Sequence, residues 1–244
     1  MYIKTAVTGG TFFFIVTTIL ISLSSVVSAQ EGSSALSAKQ RAIVPIAALT
    51  AKGDQEHLTG ALTEGLEAGL SVNEIKEILV QMYAYAGFPR SLNGINTFMA
   101  LMDERGKKGI KDISGEEATP IPANKSRERL GHETREKLTG VRPVAGYAKF
   151  VPVIDTFLKE HLFADIFGRG VLDYKSREIA TVSAIAAIGN AGAQLRSHMN
   201  VAMNTGVTES QLEDLVSVLR VKVGEKEADD AGSQLNRIKG SRTK

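Results

Sequence analysis

Two stretches of this chain follow one plan, and that duplication limits the folds open to it more than its composition does. Gly-Leu-Ser-Val-Asn-Glu-Ile-Lys-Glu-Ile-Leu-Val from Gly69 matches Gly-Val-Thr-Glu-Ser-Gln-Leu-Glu-Asp-Leu-Val-Ser from Gly206. Each follows a small-residue helix that itself follows an Ala/Ile-rich helix interrupted by Gly, so a helical unit has been copied. The Ser71/Glu74 and Thr208/Gln211 pairs, three residues apart, both read as capping boxes that start a helix. Aligning the copies sets Glu178 opposite Ala42 and His198 opposite Ala61. Only the second copy therefore carries an acid and an imidazole at these places, and that asymmetry marks a candidate site.

The N-terminus reads as an export signal. Lys4 precedes an apolar stretch around Phe12 to Leu23, and Val27-Ser28-Ala29 offers small residues for cleavage, so the mature chain would begin at Gln30. Scattered Ser and Thr favour a removed signal over a retained span. The chain has no Cys, which excludes disulfides, a thiolate metal site and thiol chemistry. Its 29 basic and 27 acidic residues become 28 and 27 once the signal leaves with Lys4. That balance points to no nucleic-acid partner and, after signal removal, to no membrane partner.

No segment alternates with period two, so the fold class is all-α, a duplicated helical unit. Helices are predicted from Leu36 to about Lys52, from Gln55 to Ala68, from Ser71 through Met82 and from Tyr174 to Ile188. Val151 to Phe167 is predicted as an amphipathic helix with Ile154, Phe157, Leu158, Leu162 and Phe163 on its apolar side. The implied division is 1–29 signal, 30–106 first repeat, 107–145 charged connector, 146–224 second repeat and 225–244 charged tail. The connector reads as exposed, with one charged helix from Ser126 to Leu138, and the tail as frayed.

Glu178 shares a helix face with Val182 and Ile185, and His198 lies inward with Leu195 and Ala202 on the next helix. The Gly189-Asn190 break lets these helices form a hairpin in which the two side chains meet. A Glu accepting from one imidazole nitrogen would fix the tautomer and leave the other for acid–base work. The same pair also reads as a buried polar clasp without catalysis. His57, His132 and His161 show no metal-ligand spacing, and no metal or other cofactor is implied. Tyr83, Tyr85 and Arg90 are placed to line a pocket, with Arg90 forking onto a substrate carboxylate. The plainer reading is that the tyrosines pack helices and Arg90 neutralises a helix end.

The segments Leu172-Asp173-Tyr174-Lys175-Ser176-Arg177-Glu178, Gln194-Leu195-Arg196-Ser197-His198 and Asn204-Thr205-Gly206-Val207-Thr208 resemble the carboxymuconolactone decarboxylase family, in its tandem form. Glu74-Ile75-Lys76-Glu77 and Tyr85-Ala86-Gly87-Phe88-Pro89 resemble the same family in the first copy. The resemblance implies an all-helical subunit that assembles as a homo-oligomer, with sites between helices. One branch, the alkylhydroperoxidase-like proteins, uses a Cys-x-x-Cys pair; here those places fall near Asn190 and Ala193, which bars that chemistry. The other branch decarboxylates a carboxylated lactone. On that model His198 is the acid–base group, Glu178 its orienter and Arg90 or Arg196 the carboxylate anchor, acting on a small carboxylated substrate without a cofactor. The alternative is a non-catalytic helical oligomer that binds a small ligand or an exported partner.

Overall fold

A computed structural model describes residue 1, residues 35–140 and residues 145–242. Apart from residue 1, the expected signal sequence lies outside them. No strand occurs among the described residues, and no described helix is long and apolar enough to cross a membrane. In the first copy α1 (Ala38–Lys52), α2 (Gln55–Glu67), α3 (Val72–Gln81), the single turn α4 (Tyr83–Ala86) and α5 (Phe88–Lys107) follow one another. In the second, α9 (Tyr174–Ile188), α10 (Gly192–Asn204), α11 (Glu209–Lys222) and α12 (Glu225–Arg242) repeat the order. Between them come α6 (Arg127–Thr139), α7 (Gly146–Phe150), α8 (Pro152–Thr156) and a π-helix over Phe157–Ile166 that tightens into a short 3-10 turn.

The local signals of the repeat act at matching places. Ser71 and Thr208 each close a capping box on α3 and α11, which satisfies N–H groups that the first helical turn cannot pair internally. Gly69 and Gly206 stand just past α2 and α10 at φ +91° and +95°, a backbone region that costs a residue without a Cβ little. The copies join by laying α1 on α9. Ala47, Ala48 and Ala51 on one side and Ala180 and Ala184 on the other are fully buried, and side chains this small let two helix axes approach closely. Both copies share one core, so the described chain from residue 35 is one unit rather than two domains.

Three segments depart from the sequence reading. The tail does not fray, because Ala228, Ala231, Leu235 and Ile238 bury one face of α12 in that core. The predicted helix over 151–167 is α-helical only to Thr156 and then widens to π geometry. Of the predicted apolar side, Ile154 and Phe157 are exposed, while Ala164 and Ile166 of the π-helix are buried. The connector is not merely a surface strap: α6 begins at the Ser126 cap, as expected, but packs against the π-helix and buries Leu138.

That contact depends on one residue. A Cβ on Gly131 would stand 1.7 Å from the Lys159 carbonyl oxygen, a backbone atom with nowhere to move. Gly131→Ala is expected to lose about 1–3 kcal/mol, the usual cost of forcing packed elements apart. Gly60→Ala in α2, where nothing lies within 4 Å, should instead gain up to about 1 kcal/mol from helix propensity. Urea unfolding of the two variants distinguishes close packing from a general intolerance of Ala.

Candidate active site

The Gly189-Asn190 break, with Gly189 at φ +68° and Asn190 at φ +53°, returns α10 along α9 and brings Glu178 to His198. Their separation is 2.9 Å from Glu178 Oε2 to His198 Nδ1. An ionised carboxylate only accepts, so Nδ1 carries the proton and donates, and Nε2 is the nitrogen left free for a ligand. Glu178 is sealed in the core at 1 % side-chain exposure, whereas His198 keeps 22 %. Tyr85, from α4 of the other copy, sets its ring edge-on to the imidazole at 5.6 Å. Its hydroxyl is buried and closes no hydrogen bond, although Thr181 is near enough to influence it. Burial, with the Glu178 charge beside it, pushes the phenol far up, so Tyr85 stays neutral.

His198 opens onto a cavity of about 380 Å³, within the usual range for small-molecule sites. Its floor is Val201 of α10 with Leu158, Leu162 and Phe163 of the π-helix, and its polar wall is His132, Arg135, Glu136 and Thr139 of α6. A second apolar cluster of Leu138, Ile166, Phe167 and Val201, with Tyr83 packed on it, supports that floor.

The sequence-based candidates thus separate. Glu178, His198 and Tyr85 meet. Tyr83 stacks on Phe88 at 4.6 Å and supports the second cluster without lining the cavity. Within the chain, Arg90 donates to the Ala51 carbonyl at the end of α1, and Arg196 donates to Gln234 of α12 at 2.5 Å. Neither lines the cavity that His198 lines. The helix-end reading of Arg90 is the one its contacts fit.

Two sets of residues were not assigned to a site from the sequence. His132, Arg135, Glu136 and Thr139 fall at i, i+3, i+4 and i+7 of the expected connector helix, one continuous face; that spacing was the available signal. The second set lies behind the dyad. Arg169 pairs with Glu77 at 2.8 Å, Glu77 with Arg177 at 3.2 Å, Arg177 with Gln81 at 3.0 Å and Gln81 with Thr181 at 2.9 Å. Nothing in the sequence marks Arg177 as fully buried, because its partners arrive from the other copy. Among the described residues no cluster of three or more His, Asp or Glu is arranged to hold a metal ion.

A model of the carboxymuconolactone decarboxylase family matches residues 25–98 and again residues 152–231. The chain belongs to that family. The two matches make it a tandem carboxymuconolactone-decarboxylase-like protein, with one match over each copy and α6 in the interval between them. No curated protein matches the chain.

Above the cavity a charged clamp ties α6 to the segment before the π-helix. Arg135 donates to Asp155 Oδ1 at 2.7 Å, and Lys159 lies 3.2 Å from Asp155 Oδ2. Burial raises the Asp155 carboxyl, but the bonds from Arg135 and Lys159 outweigh it and hold the group below its ordinary value. A depressed folded-state pKa stabilises above the unfolded value of about 3.9 and is lost as pH falls through the folded value. The stability gap between the wild type and Asp155→Asn should therefore be widest near neutral pH and close in acid. Urea midpoints from pH 7 to pH 3 check this; a gap that stays constant would mean that ionisation of Asp155 contributes nothing.

Proposed function

We propose that this protein is a cofactor-independent carboxy-lyase that acts on a small carboxylated lactone or related unsaturated acid, with His198 as the acid–base group and Glu178 as its orienter. The observation that carries the reading is the Glu178-held imidazole opening onto a cavity of about 380 Å³. In the step envisaged, the bond from the ring carbon to the substrate carboxylate breaks and CO₂ leaves. The electron pair is taken up by the conjugated lactone as a dienolate. Nε2–H of the imidazolium then protonates carbon, and solvent returns the proton to His198. Glu178 stabilises the imidazolium until it gives up that proton, and the neutral Tyr85 ring limits how far the imidazole can tilt. Export to the periplasm or beyond and assembly as a homo-oligomer belong to the same proposal; the first rests on residues 1–29 and the second on the family resemblance.

A second reading has its own support. The first copy has Ala42 and Ala61 where the second has Glu178 and His198, which suits a fold kept for binding rather than turnover. Incubation with carboxylated lactones and β-keto acids in D₂O separates the two. Release of CO₂ with one deuterium incorporated at a carbon of the former dienolate supports the lyase. Binding without CO₂ release from any of them supports the non-catalytic module.

A further inference from the structure

We propose that Arg135 of the connector helix is the carboxylate-reading residue of the His198 cavity, and that Asp155 holds its place until a ligand carboxylate arrives. The inference rests on the reading of that cavity as a site for small carboxylated compounds.

Arg135 and Asp155 both line the cavity that His198 lines. Arg135 uses Nη1 alone on Asp155, at 2.7 Å. A guanidinium has five N–H donors in a planar fork, so its Nε and Nη2 edge has no acceptor among the described residues and is free for the two oxygens of a carboxylate. Arg135 bonds through its guanidinium to Asp155. Its side chain keeps 27 % exposure, enough to be reached from solvent.

Asp155 is suited to yield. It carries a second cation, Lys159, at 3.2 Å, and Lys159 also reaches Glu128 at 3.3 Å. If a ligand draws Arg135 away, Asp155 keeps a partner and no charge is left bare, so the cost of stranding a buried ion does not arise. Of the other ionisable groups of the wall, His132 Nε2 lies 3.3 Å from Glu136 Oε1, and Arg135 is the one guanidinium in the cavity lining. In an anion-binding role this makes the clamp a selectivity device. A neutral ester offers Arg135 no charge to replace Asp155, whereas a carboxylate does.

The test uses the full chain and 2-furoate, a planar five-membered oxygen ring bearing a carboxylate, with methyl 2-furoate as the uncharged comparison. Calorimetry gives affinity, and the His198 ring resonances report whether the probe occupies the cavity. The expected result is that 2-furoate binds and shifts the His198 resonances while the ester does not. Arg135→Gln should lower affinity tenfold or more, and Asp155→Asn, which removes the competitor, should equal or exceed the wild type. Circular dichroism melts establish that each variant is folded, and Arg135→Lys, which keeps the charge without the fork, stands in if Arg135→Gln is not.

Undiminished 2-furoate binding in Arg135→Gln with His198 still shifted would overturn the assignment of Arg135 and leave the lyase reading standing. Absence of 2-furoate binding at millimolar concentration would overturn it as well. Binding through Arg135 with no CO₂ released from any carboxylated lactone or keto acid would instead remove the lyase reading and keep the carboxylate site.

Discussion

Replacing His198 with Gln is expected to leave the helical fold in place and, on the proposed lyase reading, to lower turnover of a carboxylated lactone by roughly a hundredfold or more, the range lost when a positioned general acid–base is removed. Two features make the replacement clean. His198 is only partly enclosed, at 22 % side-chain exposure, and Gln can present an amide N–H to Glu178, so that the buried carboxylate is not stranded. A fall in kcat with little change in KM would place the lost interaction in the transition state. Unchanged turnover in a folded His198→Gln protein would reduce the pair to a hydrogen-bonded clasp between α9 and α10.

Glu178→Gln sharpens the comparison. The amide can still accept from Nδ1 but no longer supplies the charge that stabilises an imidazolium, so geometry is kept while electrostatics is lost. If orientation were the whole role of Glu178, this variant would retain nearly full turnover. If the charge matters, its loss should approach that of His198→Gln, and the double variant should lose little more than either one, since residues acting on one step are not additive.

What the sequence disclosed about this site follows from where each interaction is encoded. Capping boxes at Ser71 and Thr208 and Gly stops at Gly69 and Gly206 are satisfied within a few residues of themselves, so they are readable one by one, and the repeat makes them mutually reinforcing. The meeting of Glu178 and His198 needed only helical periodicity and one turn. Arg135 was hidden because a polar connector and a polar cavity wall have the same composition; only the i, i+3, i+4, i+7 spacing of His132, Arg135, Glu136 and Thr139 tells them apart. The tail carried a readable signal as well, with Ala228, Ala231, Leu235 and Ile238 at helical spacing, but its charges drew attention first. The π-helix had none in the periodicity of its own residues; its i+5 bonding coincides with the close approach of Gly131 of α6 to the Lys159 carbonyl.

Arg177 is expected to be the most costly polar side chain in the molecule to remove. It is fully buried, burial pulls its guanidinium below the ordinary value, and the neighbouring Glu77 charge opposes that pull. Its Nη2 meets Glu77 at 3.2 Å and its Nη1 meets Gln81 at 3.0 Å, while the ring of Phe167 lies 5.8 Å from the guanidinium carbon. Arg177→Met keeps most of the volume but leaves Glu77, 4 % exposed, to Arg169 alone and strands Gln81 Oε1. Breaking a buried pair from one side typically costs about 3–5 kcal/mol, and a loss of that size in urea unfolding is the expected outcome. Removing both charges, as Arg177→Met with Glu77→Leu, should recover part of the loss, because the penalty lies in the orphaned ion more than in the absent attraction. If the double variant were instead as unstable as the sum of the singles, the two charges would not be coupled and the network joining the copies behind Glu178 would have to be understood as separate, independent contacts. Since Arg177 immediately precedes Glu178 on α9 and Gln81 bonds Thr181 one turn further on, the same variant should also loosen the Glu178 side of the dyad. Activity in Arg177→Met would then fall at temperatures where the protein is still folded.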